Sequence, residues 1–489
     1  MAGMSFKSDE SFLEKLAIGT IGTRKVMESL MASGHSPIEL ERGSTGYKIW
    51  KSIKIKRIRV PDILCVNSGI RIESRAKTKL AISMSHSQND PSRGWDHGLK
   101  DDDYTAFVVC SKCGDEPIDW MAQDLVQYIK VTDLREAFKS GRITEERRKG
   151  AEEGSESRLT WPSAIASSDG VVSSVNNSRI QFKRISDNRI ISLQLINKKG
   201  VSLNPMFRKG QRIQKNTILA SVVPVHLNVE ATDVDNSHYL DLLRSSSIAD
   251  RYTAAKALSH LDESYDDRLK ECIRDENEHI YVRLEIAATL ARKGDADGFD
   301  FIRSILNDTY LPYRLEAIII LGEIPLQKSC EILCSVLRDN GQSNNVRAGA
   351  AWALGEINLE SCIPGLINAF NELDTGIRIE AARALRKLAD SYTRNVVSQF
   401  ASASENVRPG IAWALGKSER WKFEQLVSLL GSEAEPDLRY WIAYVIGHAE
   451  QSRMIQDIEV LRKRDSEIYF AVTLLWKLLD SWIYGLKEY

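Results

Sequence analysis

One motif recurs at a nearly fixed period through the C-terminal half of the chain, and it limits the possible folds more than any other feature. It reads as an apolar residue, Arg, two variable positions, small residues, then Leu and often Gly. Copies begin at Arg251 (RYTAAKAL), Val282 (VRLEIAATLA), Tyr313 (YRLEAIIILG), Val346 (VRAGAAWALG), Ile377 (IRIEAARALR), Val407 (VRPGIAWALG) and Leu438 (LRYWIAYVIG). A degenerate eighth begins at Ile468 (IYFAVTLLWK), and the spacing stays between 30 and 33 residues. That length holds two antiparallel helices of about three turns with short turns between them. Neither helix can bury its apolar face alone, so stacked neighbours must supply the core, and residues 238–489 are predicted to form an α-solenoid. The paired alanines at 254/255, 287/288, 350/351 and 381/382 admit close helix approach, and the following Leu fills the layer between repeats. Gly322, Gly355, Gly416 and Gly447 suit helix C-termini. The last apolar stretch, Ile468 to Leu486, is interrupted by Lys477 and Asp480 and reads as a terminal cap helix rather than a membrane span.

The motif resembles the short HEAT repeats of the phycobilisome-lyase type. The resemblance implies a surface that holds another macromolecule; chromophore attachment belongs to only a few members, and no chromophore-handling residue stands out here. In families of this type the motif arginine (251, 283, 314, 347, 378, 408 and 439 here) pairs with acidic groups of neighbouring repeats, which is the expectation for this chain. A basic ladder for phosphates is the alternative. Trp352 and Trp413 occupy matching places two repeats apart, with Trp441, Trp476 and Trp482 following; packing between repeats is the expected use, and an aromatic binding surface the other.

A chain of 489 residues is long enough for several modules. Its 66 basic and 67 acidic residues leave a net charge of -1, so attraction to nucleic acid or membrane must come from local patches. Seven cysteines at irregular spacing do not form a secreted disulfide framework. The opening MAGMSFKSDESFLEKL breaks any signal-like apolar core with acids. A soluble, cytoplasmic protein without membrane attachment is expected.

Residues 140–160 (SGRITEERRKGAEEGSESRL, 140–159) are dense in charge, Gly and Ser, and read as a linker. From 161 to 227, alternation and turn signals (SSDGVVSSV, RIQFKRI, RIISLQLI) predict a small β module without helices. Asp169 to Val175 with Arg208 to Ala220, including the Lys209-Gly210-Gln211 turn, resembles the barrel-sandwich hybrid of biotinyl and lipoyl domains. Such carriers present a modifiable Lys on a hairpin flanked by small residues or Met, and Asn197-Lys198-Lys199-Gly200 lacks those flanks. No biotin or lipoate is expected, and the module reads as a spacer or docking element.

Residues 1–139 carry the candidate chemistry. Phe12, Leu16, Val26, Leu30 and Met31 lie at near-helical spacing, with Gly19 and Gly22 weakening or dividing the helix. Between Arg42 and Lys79 stand eleven Lys or Arg against two acids, Asp62 and Glu73. A field containing Lys51, Lys54, Lys56, Arg57 and Arg59, with Tyr47 and Trp50 at its edge, suits phosphate-backbone binding with stacking, although a solvated strand face has the same composition. VPDILCV and IRIESRAK read as two strands joined at Asn67-Ser68-Gly69. An Asn67-Ser68 loop puts Asp62 across from Glu73; a Ser68-Gly69 loop puts it across from Arg75. In either register Asp62, Glu73, Arg75 and Lys77 share one face, and Ile63, Cys65, Ile70, Ile72 and Ala76 form the apolar one. Two carboxylates so placed can share Mg2+ for phosphodiester hydrolysis while a basic neighbour stabilises developing charge.

Pro61-Asp62, ten intervening residues and Glu73 with a basic partner resemble the PD-(D/E)XK nuclease signature over about 20 residues. The resemblance implies Asp62 and Glu73 as metal ligands and a lysine two places after the acid. Arg75 stands there, with Lys77 one alternation further, so either serves or the site is inactive. It also implies an acid on the first helix completing the metal shell, carried over to Glu28. His86, Asp90, Asp96 and His97 follow in a loop, and a lone Cys110-Ser-Lys-Cys113 is weak as a zinc signal.

The predicted fold class is therefore multidomain α+β: a nuclease-like α/β domain (1–139), a charged linker (140–160), a small barrel-sandwich-like β module (161–227) and a HEAT α-solenoid (238–489). Two functions stay open. One is a Mg-dependent nuclease-like protein that binds nucleic acid, DNA foremost, with a solenoid that holds nucleic acid or a protein partner. The other is a non-enzymatic HEAT scaffold or adaptor.

Overall fold

The computed structural model describes residues 9–43, 58–147, 156–196, 200–230, 232–235, 237–261, 265–418, 420–430, 435–449 and 457–487. The chain forms two compact units, 1–264 and 265–489.

The first unit is built on a mixed five-stranded sheet. Helix α1 (Asp9–Ala32) precedes strands β1 (Pro37–Glu39), β2 (Ile63–Cys65) and β3 (Arg71–Lys77), which form an antiparallel meander. After β4 (Ser83–Ser87), which lies outside this sheet, β5 (Tyr104–Lys112) pairs parallel with β3, and β6 (Trp120–Lys130) closes the far edge antiparallel to β5. Helix α2 (Val131–Lys139) follows. The glycines do not divide α1. At Gly22 a Cβ would stand 2.4 Å from the Ala76 Cβ, so the missing side chain lets the helix lie directly on β3. Val26 and Leu30 pack there against Ile63, Cys65, Ile72, Ala106 and Val108, the apolar strand face that alternation predicts.

Among the described residues the opposite sheet face has no full helical layer. Phe107, Val109 and Ile129 instead share one core with Leu134 and Ala137 of α2, with Trp95 and Trp161, and with Val172, Ile180, Phe182 and Leu219 of the middle segment. The middle segment is thus the second cover of the N-terminal sheet rather than a module with its own core, because a sheet with two apolar faces must bury both. Residues 140–160 also depart from the linker reading. Strands β7 (Thr144–Arg147) and β8 (Glu156–Thr160) pair with each other, and β8 pairs with β4. Their outward charges obscure a period-two pattern whose inward members, Leu159 and then Trp161, are fully buried. From β9 (Ser163–Ile165) to residue 230 the described residues are strand and turn, in a four-stranded and a three-stranded sheet. Gly210, at φ +89°, forms the turn expected at Lys209-Gly210-Gln211. The lysines at 198 and 199 lie outside the described residues.

The first motif copy behaves differently from the others. Its helix, Ile248–Ala257, belongs to the first unit, where Lys256 Nζ donates to the Leu40 carbonyl at 3.4 Å and Asp250 pairs with Lys100.

The second unit is the helical repeat. Motif helices Ile280–Arg292, Leu311–Gly322, Asn344–Ile357, Thr375–Ser391, Arg408–Gly416 and Pro436–Gly447 alternate with partner helices, and Ser466–Lys487 ends the array. Their small residues are buried: Ala287, Ala288, Ala350, Ala351 and Ala381 have no exposed surface. The motif glycines serve this packing more than chain termination. A Cβ on Gly355 would lie 2.7 Å from that of Ala384 in the next motif helix, and one on Gly322 would lie 3.1 Å from that of Ala353. The left-handed cap after Gly355 is Asn358, at φ 51°. Among the described residues no helix is long and apolar enough to cross a membrane.

Candidate functional site

In the β2–β3 hairpin, Ile63 pairs with Ile72 and Leu64 with Arg71, which sets Asp62 directly across from Glu73. This is the register of the Asn67-Ser68 loop; Gly69, at φ 70°, closes the turn by donating its N–H to the Cys65 carbonyl at 2.8 Å. Both acids project from the sheet face opposite α1, since their alternating neighbours Ile63 and Ile72 pack under that helix.

Glu73 is buried and its Oε1 is shared by two guanidinium groups, Arg75 at 3.1 Å and Arg59 at 3.5 Å. The half-buried Asp62 accepts the Ser74 N–H on Oδ2 at 2.8 Å. Burial, and next the negative charges of Glu73 and Glu41, hold the Asp62 carboxyl well above the usual carboxylate range; the Ser74 N–H and Arg75 pull the other way. Lys77, two places beyond Arg75, donates to the Ser83 carbonyl at 2.8 Å. Arg75 is therefore the base in contact with the acid pair, and Lys77 is tied to the start of β4.

Glu28 is not brought to this pair. It sits on the exposed side of α1, bonded to Lys25 at 3.3 Å, and Lys25 reaches Asp124 on β6 at 2.8 Å. A helix that packs through Val26 and Leu30 must direct Glu28 elsewhere. Lys51, Lys54, Lys56 and Arg57, with Tyr47 and Trp50, lie outside the described residues; Arg59 is exposed except where it meets Glu73. Asp90 caps a short 3-10 turn through Ser92, and Asp96 binds Arg135 at 2.8 Å, so both have structural partners. His86 stacks edge-on against Phe138, and His97 is exposed. The Cys110 thiol is buried and donates to the Ile18 carbonyl of α1, burial raising it to about 11, whereas Cys113 is exposed. Among the described residues no group of three or more His, Cys, Asp or Glu is arranged to hold a metal ion.

Sequence reasoning passed over Arg71. Its guanidinium grips Asp103 through Nε at 2.9 Å and Nη2 at 2.6 Å, both side chains buried, and it also reaches the Gly98 carbonyl at 3.4 Å. A Cβ on Gly98 would stand 2.6 Å from Arg59 Cγ, so the same loop lies against the arginine that contacts Glu73. The signal was parity, because Arg71 shares a strand face with Glu73, Arg75 and Lys77.

In the repeat unit the motif arginines divide: Arg347, Arg408 and Arg439 have the acidic partners expected, whereas Arg283 donates to the Ile273 carbonyl, Arg314 to Gln342 and Arg378 to Thr375. Arg347 donates to the Leu337 carbonyl at 2.9 Å and pairs with Glu372 of the next repeat at 2.6 Å. Arg408 binds the Ala403 carbonyl at 2.6 Å together with Asp437, and Arg439 takes Asp465 and Glu467. At Arg347 and Arg408 the guanidinium meets the C-terminal carbonyls of the preceding helix, the favourable end of the helix dipole for a cation, while its second partner is an acid close to the next motif helix. Trp352, Trp413 and Trp441 are half-buried and Trp476 is buried. Ile379, Tyr440 and Phe470, which follow the motif arginine or its equivalent, are 44%, 62% and 68% exposed.

Residues 301–372 match the HEAT repeats family. Deoxyhypusine hydroxylase of Candida albicans is 26% identical over 119 residues, 24% of this chain and 37% of that protein, so the chain spans little over a third of this relative's length. Among solved structures, the archaeal HEAT-like repeats protein of Thermococcus onnurineus is 16% identical, covering 45% of this chain and 99% of its own, with a TM-score of 0.24. The phycocyanin lyase complex of Nostoc is likewise 16% identical, covering 50% and 97%, with a TM-score of 0.26. The chain thus carries HEAT repeats at residues 301–372, within a helical repeat unit that follows a β-rich N-terminal unit.

Proposed function

We propose that the protein is a nucleic-acid-directed HEAT scaffold. Its repeats hold a macromolecular partner, and its N-terminal sheet carries a phosphodiester-cleaving site at Asp62 and Glu73. The reading rests on one observation: the two acids face each other across adjoining strands, on the sheet face away from α1, with Arg59 and Arg75 at their side. Two carboxylates suit Mg2+, which is commonly held by one or two carboxylates plus water and substrate phosphates. Asp62 fits that donor role, since a carboxyl raised by burial and neighbouring acids gains from a cation. When bound, the ion would polarise the phosphodiester and lower the pKa of an attacking water. Arg75 and Arg59, which neutralise Glu73 in its absence, would turn to the phosphate.

The ion pairs on Glu73 also favour a second reading, in which the acid pair is only a satisfied strand face and the molecule is a scaffold without chemistry. The exposed Ile379, Tyr440 and Phe470 suit a protein partner in either case. Incubating the purified chain with DNA and RNA in Mg2+ or Mn2+ separates the two. Metal-dependent cleavage that falls at least about a hundredfold in Asp62→Ala and in Glu73→Ala supports the site. Uncut substrate with unchanged nucleic-acid affinity in both variants rejects it in favour of the scaffold.

A further inference from the structure

Three of the seven cysteines meet inside the repeat unit, away from the acid pair. Cys330 and Cys334 lie one turn apart on helix Gln327–Arg338, and Cys362 ends the 3-10 turn Glu360–Cys362 that opens the next repeat. The Cys362 Sγ is 3.0 Å from the Cys330 Sγ, and Ser361 Oγ donates to the same sulfur at 3.5 Å. Cys330 and Cys362 are buried, at 2% and 0% exposure, while Cys334 is half-buried. Gly365 leaves room for the third thiol, because a Cβ there would stand 2.7 Å from the Cys334 Sγ.

Two thiols this close can serve as metal ligands or as a dithiol, and their separation distinguishes the roles. Tetrahedral zinc with bonds of about 2.3 Å holds its sulfurs about 3.8 Å apart. Unbonded heavy atoms rest at about 3.5–4.0 Å. At 3.0 Å, in hydrogen-bond contact, the Cys330 and Cys362 sulfurs are closer than zinc would hold them, and a disulfide needs a further approach of only about 1 Å.

We propose that Cys330 and Cys362 form a reversible oxidation site, a peroxide-driven disulfide that staples two consecutive HEAT repeats. Cys330 is the attacking sulfur. Hydrogen bonds from Cys334, then Cys362, then Ser361 favour its thiolate against the opposing effect of burial. The thiolate attacks one oxygen of hydrogen peroxide, the O–O bond breaks, and a sulfenic acid forms as the released hydroxide takes a proton to become water. The Cys362 sulfur then attacks the sulfenic sulfur; its thiol proton leaves with the departing hydroxyl as a second water. Two thiols have lost two electrons, and one peroxide has gained them. An oxidant near water in size is required, because both sulfurs are buried.

The full chain is titrated with hydrogen peroxide, its remaining thiols are alkylated, and unreduced peptides are mapped by mass spectrometry. The expected product is a peptide pair joined through Cys330 and Cys362, released by dithiothreitol and retained in Cys334→Ala. In Cys362→Ser the Cys330 sulfenic acid, having lost its partner, is trapped by dimedone when the oxidised chain is unfolded in its presence, which brings the buried sulfur within reach of the reagent. In Cys330→Ser the linkage disappears and Cys362 is alkylated. The exposed Cys113 is the internal reference. Failure to link Cys330 to Cys362 at peroxide levels that oxidise Cys113 overturns the proposal, as does a linkage through Cys334. Zinc co-purifying in equal amount, with all three thiols shielded from alkylation, overturns it in favour of a metal site.

Discussion

Arg408 and Arg378 hold the same place in the repeat motif, and their surroundings give them unequal weight. The Arg408 side chain is 3% exposed and binds both the Ala403 carbonyl and Asp437, whereas Arg378 is exposed and reaches Thr375 Oγ1 at 3.3 Å. Arg408→Ala removes a buried guanidinium with its bonds to the Ala403 carbonyl and to Asp437, which keeps some access to water, so a loss of about 2 kcal/mol from the repeat unit is expected. Arg378→Ala should stay within about 0.5 kcal/mol of the parent. Urea unfolding of the two variants checks the contrast, and equal losses would mean that the motif position, rather than burial, sets the value. Asp62 gives a residue-scale prediction about pH. Its carboxyl is raised in the folded state, so the fold binds a proton more tightly than the unfolded chain does. Its stability contribution is therefore present at low pH and is lost as pH rises from the ordinary carboxylate value through the raised one. Asp62→Asn should melt above the parent at neutral pH, with the gap closing near pH ~4. A melting temperature unchanged by the substitution at neutral pH would argue that Asp62 is not destabilised by its setting. The shared face of the acid pair was legible because strand alternation is strict to one residue, but its register was not, since both turn placements satisfy the same parity and only the pairing of Ile63 with Ile72 selects one. Arg59 was legible only as a member of a basic field, since its contact with Glu73 is tertiary and no local pattern records it.

Among elements, the motif glycines are the instructive case. Placed just before helix ends, they read as C-caps, but Gly355 lies within Asn344–Ile357 and gives way to the next motif helix, while Asn358 takes the left-handed turn. Local sequence rules describe a chain leaving a helix; they cannot register that another helix arrives at the same spot. Two substitutions separate the roles. Gly355→Ala gains about 1 kcal/mol of helix propensity but drives its Cβ to 2.7 Å from Ala384, and overpacking of that kind costs about 1–3 kcal/mol, so a net loss is expected. At Gly416 the nearest atom to a new Cβ is 3.5 Å away, so Gly416→Ala should be neutral or stabilising by up to about 1 kcal/mol. Thermal melts of both decide the matter; a stabilised Gly355→Ala would mean that the helices separate more easily than their packing implies. The strands at 144–147 and 156–160 were hidden for a related reason. Charge-rich composition usually marks a linker, yet here β4 pairs with the strand at 156–160, which in turn pairs with the strand at 144–147, and Trp161 is the anchor, its Nε1 donating to the Leu134 carbonyl at 3.1 Å.

For the whole molecule, a repeat period tells where copies start but not which body each copy joins. Residues 248–257 carry the motif, yet their buried face, with Tyr252, Ala254, Ala255 and Ala257, lies in the first unit. The helix before it, Ser237–Leu242, extends the same attachment: Tyr239 donates its hydroxyl to the Val66 carbonyl at 2.6 Å, at the end of the strand that begins beside Asp62. A boundary drawn by motif would cut through this packing, whereas a boundary at 264 follows it. The difference predicts the behaviour of two fragments. Residues 1–264 should melt cooperatively. Residues 1–236 lose the Tyr239 hydrogen bond and the Lys256–Leu40 and Asp250–Lys100 ties, and expose the apolar surface those helices cover. Apolar burial contributes about 25 cal/mol per Å2, so losing two helices from one face should lower the midpoint by many degrees or leave the fragment aggregated. Hydrogen exchange at the β2–β3 hairpin gives the local readout, because Tyr239 holds the Val66 end. Equal midpoints and equal hairpin protection in the two fragments would place residues 237–264 with the repeats after all.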